Sequence, residues 1–131
     1  MGFWIFMMVM CLLLPAVMLA AGAYYRSRSP GRINAFIGYR TARSMKNDRT
    51  WAFAHRTFGR LWWRLGWLAL AASVVPMLCV LGRGEDAVGL AGTVVELAQL
   101  ALVIWSIFPV ERALKRNFDD CGQPRPGAPD L

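Results

Sequence analysis

Acidic side chains are scarce in this 131-residue chain: eight Asp and Glu stand against fifteen Lys and Arg. Between Arg26 and Arg64 one acid, Asp48, sits among ten basic residues. Histidine occurs once, at His55, and cysteine three times, at Cys11, Cys79 and Cys121. Cysteines so few and so placed make no disulfide framework, and no second His or Cys lies at metal-ligand spacing from His55, so no metal site is expected. Cys11 and Cys79 fall within apolar runs and read as small hydrophobes. The sequence has no nucleophile-base pair and no phosphate loop, which leaves an enzyme, or a bound cofactor, without residues to support it. Apolar residues, in contrast, make up 56% of the chain, and the mean hydropathy of +0.38 is too high for a water-soluble domain of this length. A net charge of +7 on such a chain requires charge and hydrocarbon to be segregated. They are: the ten basic residues and one acid of 26–64 form a single block, and the rest of the chain is slightly acidic. One basic block between apolar runs indicates a membrane protein with a strongly cytoplasmic loop rather than a nucleic-acid binder.

Three runs are long enough to cross a hydrocarbon core of about 30 Å at about 1.5 Å per residue. They cover about residues 3–25, 61–81 and 87–110. The first lacks Lys or Arg ahead of it and has Arg26, Arg28 and Arg32 directly behind it, the reverse of a cleaved signal peptide. In the second, Trp62, Trp63 and Trp67 crowd the first turns as an interfacial belt, and Pro76 is expected to kink the far end. The basic loop and the tail after Val110 are both rich in Lys and Arg, whereas the 82–86 turn has only Arg83. The expected topology therefore has the N-terminus outside and the C-terminus cytoplasmic. Residues 1–117 read as one membrane domain, and 118–131, rich in Pro and Gly, as a disordered cytoplasmic tail.

The basic loop is patterned. Gly38 marks a position needing positive φ or close approach, and Asn34 and Thr41 can satisfy local backbone groups. Ser44 and Asn47 are candidate N-caps for a helix over about 47–59, in which Trp51, Ala54, His55, Phe58 and Trp62 share one stripe. We expect this to be a separate amphipathic interfacial helix, bending at Gly59 into the second span, with Arg49, Arg56, Arg60 and Arg64 reaching anionic lipid headgroups. Arg40 is placed to cap a helix end or to pair with Glu111.

The order Asn34, Gly38-Tyr39-Arg40-Thr41, Ser44, Lys46-Asn47, Trp51 and Ala54, set between a first and a second span, resembles the SdpI family of small bacterial membrane proteins. The resemblance covers about residues 5–115, with His55 standing where the family often has Asn. It implies an all-α, multi-pass protein of the bacterial plasma membrane, immunity to a secreted toxin peptide that acts on the membrane, and signalling in which a cytoplasmic regulator protein is held at the bilayer.

Within the spans, Glu96 stands near mid-bilayer, where a carboxylate is costly unless paired. It shares a face with Gly89, Gly92, Thr93, Gln99 and Ser106, and the second span offers a matching stripe of Gly66, Ala69 and Ser73. Two readings stay open: close helix packing, with a protonated Glu96 bonded to Ser73 or to a first-span carbonyl, or a proton- or ligand-sensitive carboxylate. The second reading belongs to an alternative function, a minimal transporter or channel subunit that forms a homo-oligomer around the Glu96 stripe.

Overall fold

A computed structural model of the chain, described here for residues 1–28, 33 and 38–126, contains three helices: α1 (Gly2–Tyr25), α2 (Asp48–Cys79) and α3 (Glu85–Asn117). Each is long and apolar enough to cross a membrane. The outward faces are hydrocarbon, as lipid contact requires: Leu68, Leu90, Leu97 and Phe108 are all largely exposed.

Contacts between the helices define an up-down-up bundle. Against α2, α1 runs antiparallel: the Trp4 indole donates to the Met77 carbonyl at one end, and Gly22 meets the Trp63 backbone at the other. Against α3 it runs parallel, with Phe3 near Gly89, Met7 against Gly92 and the Cys11 carbonyl against Gln99. The turn between α2 and α3, in which Gly82 has φ +81°, thus lies at the same end as the N-terminus. Residues 38–47 and 118–126 share the opposite end.

Small residues set the distance between helices. A Cβ on Gly59 would sit 2.1 Å from the Arg26 nitrogen, and one on Gly22 would sit 2.5 Å from the Trp63 nitrogen, so α1 and α2 touch backbone to backbone. Gly66 seats Leu19, and Gly92 seats Met7. The glycines of the two stripes expected to match α2 to α3 therefore seat α1, whereas Ser73 and Gln99 of the same stripes do join α2 to α3. Two buried clusters follow. Cys11, Met77, Val88 and Val95 pack toward the N-terminal end, and Tyr39, Ala54, Val110, Leu114 and Phe118 pack at the basic end.

Two expectations are corrected. There is no separate interfacial helix over 47–59: those residues are the opening turns of α2, which is continuous over 32 residues. Gly59 is occupied by close approach to Tyr25 and Arg26 rather than by a bend, so nothing interrupts the hydrogen-bond ladder there. The residues immediately after α3 are also not a disordered tail. Phe118 is buried, with its ring 5.4 Å from Phe53, and a turn closes through Asp119 N–H to the Gln123 carbonyl (2.9 Å) and Arg125 N–H to the Asn117 carbonyl (2.9 Å). Residues 127–131 lie outside the described residues.

Candidate functional site

At the basic end, the family-like segment is folded onto the tops of α2 and α3. Gly38 has φ +103°, the left-handed value that glycine tolerates, and it turns the chain so that Tyr39 points inward. The Tyr39 N–H donates to His55 Nε2 at 2.8 Å, and its hydroxyl donates to Glu111 Oε1 at 2.7 Å. One residue is thereby fastened to two helices. Burial, and next the Glu111 carboxylate, push the Tyr39 phenol far above the usual tyrosine range, so it stays a donor. His55 is fully buried, its Nδ1 2.8 Å from the Trp51 carbonyl and its ring 4.3 Å from that of Trp51. A ring that accepts at Nε2 and faces a carbonyl at Nδ1 carries its single proton on Nδ1.

The following residues hold this arrangement in place. Thr41 N–H donates to Ser44 Oγ (2.9 Å), and the Ser44 hydroxyl donates to the Tyr39 carbonyl (3.0 Å). Ser44, one of two candidate caps, thus closes the turn before the helix. Asn47 caps α2: its side chain accepts from Thr50 N–H (2.9 Å) while Thr50 Oγ1 accepts from Asn47 N–H (3.1 Å). Asn47 also donates to the Gly122 carbonyl at 2.6 Å, which ties the C-terminal turn to the start of α2. Trp51 and Ala54 are buried beneath this platform. Glu111 has a second neighbour, Arg43, at 3.9 Å, and Arg40 is exposed beside Tyr39. Asn34 lies outside the described residues.

A second polar group lies inside the bundle. Gln99 is buried and donates both to the Cys11 carbonyl and to Ser73 Oγ, each at 2.7 Å, and Ser73 donates to the Ala69 carbonyl (2.6 Å). Gln99 therefore makes the two contacts that sequence spacing offered to Glu96. The reason is register: α2 and α3 bring Ser73 level with Gln99, one turn further along α3. Glu96 is half-buried beside the Cys11 thiol, and its Oε1, like Gln99 Oε1, has no hydrogen-bond partner among the described residues. Thr93 faces outward, whereas Ser106 is buried and accepts from the Trp62 indole at 3.0 Å.

Residues 31–110 match the model of the SdpI/YfhL protein family. The chain belongs to that family. No characterised protein and no solved structure shows a significant match to it. Within this SdpI/YfhL-family protein, the matched region contains Tyr39, Ser44, Asn47, Trp51, His55 and the Ser73–Gln99 pair, and it ends one residue before Glu111.

Of the headgroup candidates, Arg49, Arg60 and Arg64 are exposed. Arg56 is half-buried, with Nε unpartnered among the described residues, and shares a cavity with Ser27, Arg28 and Ala52. Sequence reasoning missed the central places of His55 and Glu111. The available signal was their spacing: His55 falls one turn after Trp51 on the buried stripe of α2, and Glu111 falls on the face of α3 shared with Leu114 and Phe118.

Proposed function

We propose that this SdpI/YfhL-family membrane protein confers immunity to a membrane-active toxin peptide and relays the encounter to a cytoplasmic regulator held by the 38–51 platform, with the N-terminus outside and the C-terminus cytoplasmic. The observation that carries the reading is the attachment of Tyr39 to both α2 and α3, through His55 and Glu111. A loop needed for charge alone has no use for a buried, two-point anchorage. Change in helix packing inside the bilayer therefore reaches the surface of the loop, where Arg49 lies exposed for a partner. Challenge with toxin peptide of cells that lack, carry or overproduce the protein tests immunity, with better survival expected in the order of its abundance. Unchanged survival across that series rejects it. Reporter fusions at Gly84 and at the C-terminus test the orientation, and a cytoplasmic signal from Gly84 overturns it.

A second reading, an oligomeric transporter or channel subunit, is favoured by the unpartnered carboxylate oxygen of Glu96. It predicts proton or ion flux that disappears in Glu96→Gln. Immunity that survives this substitution without flux speaks for the first reading.

A further inference from the structure

Two open cavities flank Pro109 near the basic end of α3, and the Tyr39 anchorage uses neither. One, of about 290 Å³, is lined by Trp105, Phe108, Pro109, Arg112, Ala113 and Arg116. The other, of about 250 Å³, is lined by Thr57, Arg60, Leu61, Arg64 and Pro109. Pro109 is the wall they share. Arg60 and Arg64 are four residues apart on α2, and Arg112 and Arg116 are four apart on α3, so each pair presents two guanidinium groups on one helix face. All four side chains are exposed, no acid lines either cavity, and none of the four makes an ion pair among the described residues. The nearby carboxylate, Glu111, is already engaged by Tyr39 and Arg43.

Paired guanidinium forks match phosphate oxygens in shape and charge. The rest of the first lining is apolar, and Leu61 and Pro109, with Thr57, complete the second. Trp105 and Phe108 are 51% and 61% exposed on the surface where acyl chains run, and Leu61, half-buried against the core, walls the other side. The complementary ligand is therefore an anion with hydrocarbon attached, and there are two anion positions. Pro109 has no N–H to donate and offers an apolar saddle between them. We propose that this site binds a phospholipid carrying two phosphates, of the diphosphatidylglycerol class, with one phosphate at Arg60 and Arg64, the other at Arg112 and Arg116, and the glycerol bridge over Pro109. A lipid with one phosphate fills half of it. Generic headgroup attraction by a basic loop asks for charge alone; this site asks for two phosphates joined across Pro109.

The test uses the full chain in nanodiscs of phosphatidylcholine doped with diphosphatidylglycerol or, at equal phosphate content, with phosphatidylglycerol. Lipid retained on the protein after release into detergent is weighed by native mass spectrometry. We expect about tenfold preferential retention of diphosphatidylglycerol. The preference should be lost in R60Q/R64Q and in R112Q/R116Q, reduced in R112K/R116K, which keeps charge but loses the fork, and kept in R49Q, which lies in neither cavity. Helical circular dichroism of each variant guards against unfolding, and the lysine pair reads the site if a glutamine pair does not fold. Equal retention of the two lipids at matched phosphate, or a preference that survives both double substitutions, overturns the proposal. Displacement of the lipid by millimolar inorganic phosphate alone overturns it too, because that outcome marks a free-anion site.

Discussion

The amide of Tyr39 and the imidazole of His55 are joined by a 2.8 Å hydrogen bond across sixteen residues of sequence. Replacing His55 by Ala leaves that buried N–H without a partner, at a cost of about 1–3 kcal/mol, and removes the ring packed between Trp51 and Tyr25. We expect a lower melting temperature in detergent and faster proteolysis at Arg40 and Arg43. His55→Asn, which keeps an acceptor on a shorter side chain, should fall between wild type and Ala. An alanine variant with wild-type melting and wild-type cleavage rates would contradict the role assigned to the ring.

Tyr39 ionises late. Its phenol is buried and donates to a carboxylate, both of which raise its pKa above the free value of about 10. A raised folded-state pKa means that the stabilisation is complete below about pH 10 and is lost only as the pH climbs toward the folded value. Alkaline ultraviolet difference titration should therefore show no transition near pH 10 that is present in wild type and missing from Tyr39→Phe. Removing the hydroxyl should still lower stability at neutral pH, by about 1.5–3 kcal/mol, the range for hydrogen bonds to charged groups.

Gly59 and Gly89 look alike in sequence but not in their surroundings. A Cβ at Gly59 would meet the Arg26 backbone at 2.1 Å, whereas at Gly89 the nearest atom is a Phe3 ring carbon at 3.8 Å. Gly59→Ala forces α1 and α2 apart and should cost about 1–3 kcal/mol or more, while Gly89→Ala should be near neutral. Unfolding of the two variants in matched detergent compares them directly; equal stabilities would sink the argument for backbone contact.

Gln99 carries the link between helices inside the bilayer. Loss of its bonds to Cys11 and Ser73 in Gln99→Leu should cost about 0.6 kcal/mol for each bond, the average for such bonds in membranes. Glu96→Gln, which removes no interhelical bond from this set, should change stability little. A larger loss for the Glu96 variant than for the Gln99 variant would reverse the assignment.

What the sequence conveyed well was whatever depends on local pattern. The three apolar runs became three helices, and Gly38 became a positive-φ turn. Asn47, with Thr50 three residues on, makes a cap whose reciprocal bonds span four residues of chain. What it conveyed poorly depends on register between elements far apart in the chain. Sequence spacing put Ser73 and Glu96 at one depth, but an offset of one turn delivers Gln99 instead, and hydropathy counts do not resolve such an offset. The 47–59 stretch misled for another reason: an amphipathic stripe at the start of a long helix has the same periodicity as a separate interfacial helix. Packing of Gly59 against α1 decides between them, and that contact spans more than thirty residues. The 118–126 turn was hidden because proline and glycine mark ordered turns as readily as disorder.

The continuity of α2 has a mechanical meaning. At about 1.5 Å per residue its 32 residues extend for about 48 Å, well beyond a hydrocarbon core of about 30 Å. Ser73 in the interior, and Thr50 and His55 under the loop, ride on one stiff rod with no hinge at Gly59. A displacement imposed at the Ser73 level would therefore be carried to Thr50 and His55 along one uninterrupted stretch of helix.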